Sequence, residues 1–169
     1  LKKVDIKLVS TTQSVDHTDP SGEFMEGIYH LFSQFDNELR RGKSVTGMKE
    51  KLKDGYWPFI PPTGYNNLNK GETADKHNLV INSEGKLLKQ AFKWKAINNM
   101  PTEEISKKLE NKGLSISSKA LSKMLRNPFY CGIIVTKMLP GEIIEAKHPP
   151  LINKNTFLKT QENLDLNSS

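Results

Sequence analysis

The chain has 169 residues, 36% of them apolar and 26% charged, and a formal net charge of +6. That length suits one or two small domains with real cores. No apolar run nears the roughly 18 residues of a membrane-spanning helix, so no membrane partner is expected. A single cysteine, Cys131, excludes an internal disulfide or a multi-cysteine zinc site and fits a reducing, cytoplasmic setting. Between Tyr130 and Gly132 it reads as a small buried apolar residue.

The charge is segregated. Residues 1–39 hold three lysines against seven acids, residues 40–126 hold 18 Lys or Arg against eight acids, and residues 127–169 hold four of each sign. A basic middle block suits a polyanion, most often nucleic acid. The competing reading is a lysine-rich chain with solvated faces.

In chain order, "VDIKLV" (4–9) alternates apolar and polar residues and predicts a short strand. A polar loop follows. Asp19-Pro20 predicts a helix start, with Asp19 as cap and Pro20 in the first turn. Phe24, Ile28, Leu31, Phe32, Phe35 and Leu39 then recur at helical spacing. The rhythm weakens through Val45, Met48 and Leu52 and ends near Gly55. Such a helix would be about 50 Å long. Gly42 and Gly47 would each cost it about 1 kcal/mol, so a break at Gly42 is the alternative. The first half has a stripe suited to a core or a partner helix. The second half carries Arg40, Arg41, Lys43, Lys49, Lys51 and Lys53, suited to phosphates.

"WPFIPPTGYNN" (57–67) has too many prolines for a helix and reads as an extended arm with aromatic anchors, after a domain boundary near Tyr56. "LVIN" (79–82) reads as a strand. Ser83 is expected to cap a helix to about Asn99, with Leu87, Leu88, Ala91, Trp94 and Ile97 facing inward. Thr102 begins a helix through Asn111 with Ile105 and Leu109 inward, ended by Gly113. Ser117 or Ser118 begins the next, with Ala120, Leu121, Met124 and Leu125 inward, stopped by Asn127-Pro128. Two short helices so joined predict a helix-turn-helix, its second member showing Ser118, Lys119, Ser122, Lys123 and Arg126 outward. "YCGIIVTK" and "EIIEAKH" around Pro140-Gly141 predict a hairpin. Asn153 is expected to cap a final helix, with a frayed tail after it. The fold class expected is mainly α with small β elements.

Nothing assembles an active site. The four histidines show no metal spacing, so neither metal nor cofactor is expected, and there is no P-loop, GxGxxG or GxSxG. No neighbour marks Tyr29, Tyr56, Tyr65 or Tyr130 as a nucleophile. Asp16 and Asp19 are better explained as loop and cap than as a carboxylate pair.

"DPSGEFMEGIYHLFSQFDNELRRGKSVTGM", "GYWPFIPPTGY", "PTEEISKKLENKGLSISSKALSKMLRNPFYCGIIV" and "HPPLINKNTFLKTQ" together cover most of the chain and resemble the large serine recombinases of phages and mobile elements. The resemblance implies that residues 1–56 end a catalytic domain with its long helix, 57–67 form the arm, and 68–169 form the recombinase-type DNA-binding domain. It implies double-stranded DNA as partner, contacted by Arg40, Arg41, Lys43, Lys49, Lys53, by Gly64 and Tyr65 of the arm, and by the outward residues from Ser118 to Arg126. It also implies a homodimer through Phe24, Ile28, Leu31, Phe32, Phe35 and Leu39, and a tetramer in synapsis. Family members cut DNA through a 5′-phosphoserine link, without metal or ATP. Their nucleophilic serine and arginine cluster lie near the N-terminus, a context that Ser10, Ser14, Ser21 and Ser33 do not share. The chain is therefore expected to be a piece of a longer protein, inactive alone. Where the family carries a Glu-Arg pair in the long helix, Gly42-Lys43 stands here, a point charge instead of a bidentate fork. Asp36-Asn37 also departs from the acidic-arginine pair common earlier, and the cysteine-rich zinc ribbon of many members is missing. The alternative without a catalytic parent is a helix-turn-helix regulator or transposition accessory protein, and a third is a helical scaffold.

Overall fold

Helix α1 (Pro20–Lys53) runs through both Gly42 and Gly47. The structure, a computed structural model, describes residues 20–69, 71 and 77–166. The strand expected over 4–9, the cap at Asp19 and the last residues of the tail lie outside them. The chain divides within α1 into two units, Leu1–Thr46 and Gly47–Ser169.

In the first unit the apolar stripe of α1 faces solvent. Phe24, Leu31, Phe32 and Phe35 are all more than half exposed, and Ile28 is partly covered. A Cβ at Gly27 or Gly42 would meet nothing within 4 Å, so packing within the chain does not require either glycine.

The second unit begins with the last two turns of α1. Leu52 is fully buried. Gly55, at φ 84°, lets the chain turn back: its N–H donates to Leu52 O (2.9 Å) and the Tyr56 N–H to Lys51 O (2.9 Å). These bonds satisfy carbonyls that a helix end otherwise leaves open. Two antiparallel pairs follow. β1 (Tyr65–Asn67) pairs with β2 (Leu79–Ile81) in the register Tyr65↔Ile81. β3 (Ile133–Ile134) pairs with β4 (Ile144–Glu145). The expected hairpin is thus present but short, because Pro128–Cys131 form a single 3-10 turn before it.

The helices are α2 (Ser83–Asn98), α3 (Thr102–Glu110), α4 (Ser118–Leu125) and α5 (Lys154–Asp165). Side-chain caps set three of their starts. Asn82 Oδ1 accepts from Gly85 N (2.9 Å), Ser117 Oγ from Ala120 N (3.3 Å) and Asn153 Oδ1 from Thr156 N (2.8 Å). Each replaces water on an N–H that the helix leaves unpaired. The cap of α2 is therefore Asn82, not Ser83. Its inward face also differs from the expected one. Ile97 is 76% exposed, while Phe92 and Lys95 are buried. Packing of α5 decides this: Asn163 Nδ2 donates to Lys95 O (2.8 Å) and Ala96 O (3.2 Å). The ammonium of buried Lys95 donates to Asn99 Oδ1 (3.2 Å) and Met100 O (3.3 Å). Burial lowers its pKa.

The aromatic arm packs against this core. Trp57 meets Phe129 edge to face (5.0 Å) and Phe59 likewise (5.1 Å), and Trp57 Nε1 donates to Ile60 O (3.1 Å). Tyr130, 1% exposed, donates its hydroxyl to Thr63 O (2.9 Å), which ties the proline segment to the 3-10 turn. Cys131 is buried with them, its Sγ 3.1 Å from Pro128 O.

Candidate nucleic-acid interface

The candidate surface is built from basic side chains that the fold leaves in water. In the first unit Arg40, Arg41 and Lys43 are exposed on α1, and among the described residues none has a carboxylate partner. In the second unit Lys49 is likewise exposed, while Lys53 lies 3.9 Å from Glu142.

Helices α3 and α4 form the second part. Ile105 and Leu109 of α3 and Leu121 and Leu125 of α4 are fully buried, so each short helix has a fixed inward side. Gly113, at φ 89°, closes α3, and Leu114 N donates back to Leu109 O (2.9 Å). Ser106 Oγ donates to Ile116 O, which holds the connecting segment against α3. With Leu121 and Leu125 inward, Lys119 and Lys123 are exposed and Ser118 and Ser122 are partly exposed. Arg126 follows at the end of α4 and pairs with Asp165 (2.8 Å).

Gly64 and Tyr65, expected as contact residues, are placed elsewhere. Both are buried. The Tyr65 hydroxyl donates to Pro149 O (2.8 Å), and its ring meets Phe129 and His148 edge to face. Burial pushes its pKa up. A Tyr in a Pro/Gly segment serves equally as anchor or as contact, and here the packing partners lie more than sixty residues later in the chain.

The structure also reveals groupings that the sequence does not display. Lys108 (5.7 Å) and Lys112 (5.8 Å) both hold their ammonium groups over the Trp94 ring, and the Lys147 ammonium stands 4.2 Å over the Tyr56 ring. Lysines recur along 86–112 in the sequence, but each pairing joins residues from separate elements.

His148 is 8% exposed. Its ring stacks on Phe129 (3.8 Å), its Nε2–H donates to Phe129 O (2.9 Å), and its Nδ1 is buried without a partner. Burial pushes its pKa down, opposed in part by the Phe129 carbonyl. The sign of the pH dependence follows. The unfolded chain takes up the proton first as pH falls through about 6.5, while the folded ring resists it, so acid favours unfolding. We expect the melting temperature to drop between about pH 7.5 and pH 5, and His148→Gln to flatten that drop, as thermal melts across the range would read.

Among the described residues no group of three His, Cys, Asp or Glu is placed to hold a metal ion. None of their helices is long and apolar enough to cross a membrane.

The family model described as Recombinase matches residues 82–167, and that described as Resolvase, N terminal domain, matches residues 1–57. No curated protein matches the chain. Among solved structures, one of an LSR-DNA complex is 20% identical with a TM-score of 0.60, covering 75% of this chain and 38% of that one. Another, solved for the sequence requirements of the Listeria innocua prophage attP site, is 22% identical with a TM-score of 0.56, covering 73% and 51%. The chain thus spans about half or less of the length of the proteins it resembles in structure. With the Recombinase match covering half of its residues and the Resolvase match preceding it in order, the chain belongs to the large serine recombinase family.

Proposed function

We propose that this chain is the DNA-binding portion of a site-specific serine recombinase, which in the whole protein integrates or excises mobile DNA through a 5′-phosphoserine intermediate. Residues 1–56 then end the catalytic domain, 57–67 are the arm, and 68–169 are the recombinase-type DNA-binding domain. One observation carries the reading: the basic side chains of Arg40–Arg126 are largely exposed, and most have no acidic partner among the described residues. Phosphate contacts by such groups release counterions and give affinity that falls steeply with salt. In this reading α3 and α4 are a helix-turn-helix, and Ser118, Lys119, Ser122, Lys123 and Arg126 face the DNA. Arg40, Arg41, Lys43, Lys49 and Lys53 of α1 meet phosphates, and bare Gly42 allows close backbone approach. Gly64 and Tyr65 serve the arm by packing it.

Fluorescence anisotropy of the chain on random duplex DNA, titrated across salt, tests the proposal. We expect micromolar or tighter binding at low salt and a steep negative slope of log K on log salt. Absence of binding even at about 20 mM salt would remove the reading.

The exposed stripe Phe24, Ile28, Leu31, Phe32, Phe35 and Leu39 pairs with the same stripe of a second copy in this reading, as a patch of that kind is costly in water. Replacing Phe32 and Phe35 by serine is then expected to convert a dimer to monomer in sedimentation; an unchanged mass would reassign the stripe.

A further inference from the structure

We propose that Lys86, Lys89 and Lys93 form a second phosphate-gripping ridge on α2, separate from the outward residues of α4. The inference rests on the DNA-binding reading above and assigns it a surface outside the contact residues named there. At 3.6 residues per turn these positions fall on one side of the helix, and their ammonium stems start over a span of about 10 Å. All three are exposed. Glu84, the one acid of α2, lies roughly opposite them around the axis.

Several surface lysines elsewhere in this unit are matched. Lys108 pairs with Glu104 (3.1 Å), Lys53 with Glu142 and Lys154 with Glu145 (both 3.9 Å), and Lys112 donates to Gln90 (3.1 Å). The ridge has no such partner among the described residues. Like charges three and four residues apart repel one another, which costs helix stability unless an anion compensates. Beside the ridge, Lys89 and Lys93 form one wall of a groove of about 320 Å³ whose other wall is residues 150–153 and Thr156. That wall carries no acid. A row of point charges over an acid-free groove suits repeated phosphates, contacts that position a duplex.

The test compares K86Q/K89Q/K93Q with a control of equal charge change outside the basic block, K137Q/K154Q/K159Q, in the full chain on random duplex DNA. Lys→Gln keeps helix propensity, and thermal melts verify folding; if the triple variant melts early, K89Q alone is read. For the ridge variant we expect the magnitude of the salt slope to fall by about 2 to 3, or about 1 for K89Q, with the control slope unchanged. An unchanged slope in the ridge variant, or an equal fall in the control, overturns the ridge while leaving the DNA reading in place. A parent chain that shows no salt-dependent binding overturns both.

Discussion

Gly85→Ala is expected to lower the melting temperature by roughly 10 °C, a loss of about 3 kcal/mol. At an open helix position the same change gains up to about 1 kcal/mol, so the sign itself is diagnostic. Gly85 lies in the first turn of α2, pressed against Gly64. A Cβ there would overlap the Gly64 carbonyl oxygen and lie 2.8 Å from Ile81 Cγ2. Neither obstacle is free to move. Gly64 O accepts from Asn82 N (3.1 Å), and Asn82 also caps α2 through Gly85 N. Gly64 itself stands at φ 98°, where a side chain is strained, and its own Cβ would lie 3.0 Å from Gly85 Cα. The two glycines join the end of the proline arm to the start of α2 through backbone contact alone. Gly47→Ala is the natural contrast: its Cβ would meet nothing within 4 Å, and removing a helical glycine there should raise the melting temperature. Melts of both variants by circular dichroism read the pair. A Gly85→Ala chain as stable as the parent would mean that the joint has room for a methyl group.

Much of the helical structure could be read from local signals. The spacing from Phe24 to Leu52 predicted one helix from Pro20 to about Gly55, and it runs Pro20–Lys53. Gly113 and Asn127-Pro128 close α3 and α4 because their backbone preferences act locally. Asn153 caps α5 for the same reason. Long-range packing was not legible. Nothing near Ile97 or Lys95 says that the fold will bury the lysine and leave the isoleucine in water. Nor does "GYNN" disclose that Phe129 and His148 will enclose Tyr65. The basic character of the candidate site is a sum over composition, so it was visible early. Which cations remain unpaired depends on where acids from other elements arrive, as with Arg126 and Asp165, and that required the fold.

The largest loss of DNA binding is expected from K119A/K123A/R126A, which should weaken affinity about 100-fold or more near 150 mM salt and lower the salt slope by about 2 to 3. Lys119 and Lys123 stand one turn apart on the exposed side of α4, with no carboxylate holding them among the described residues. Arg126 is held by Asp165 at 2.8 Å, with both side chains well exposed at 44% and 68%. An ion pair in that setting is worth at most about 1 kcal/mol, less than a bidentate Arg contact to phosphate or guanine yields. The pair therefore competes with DNA without blocking it. Asp165→Asn should release Arg126 and tighten binding several-fold, the opposite direction from the triple variant. Loss of folding does not explain a weakened triple variant, because alanine favours helix and the buried Leu121 and Leu125 are untouched. Equal melting temperatures with a 100-fold difference in affinity would fix the effect on the α4 surface. If the triple variant binds as tightly as the parent, α4 is a packing helix, and the salt-dependent contacts belong to α1 or to the ridge of α2.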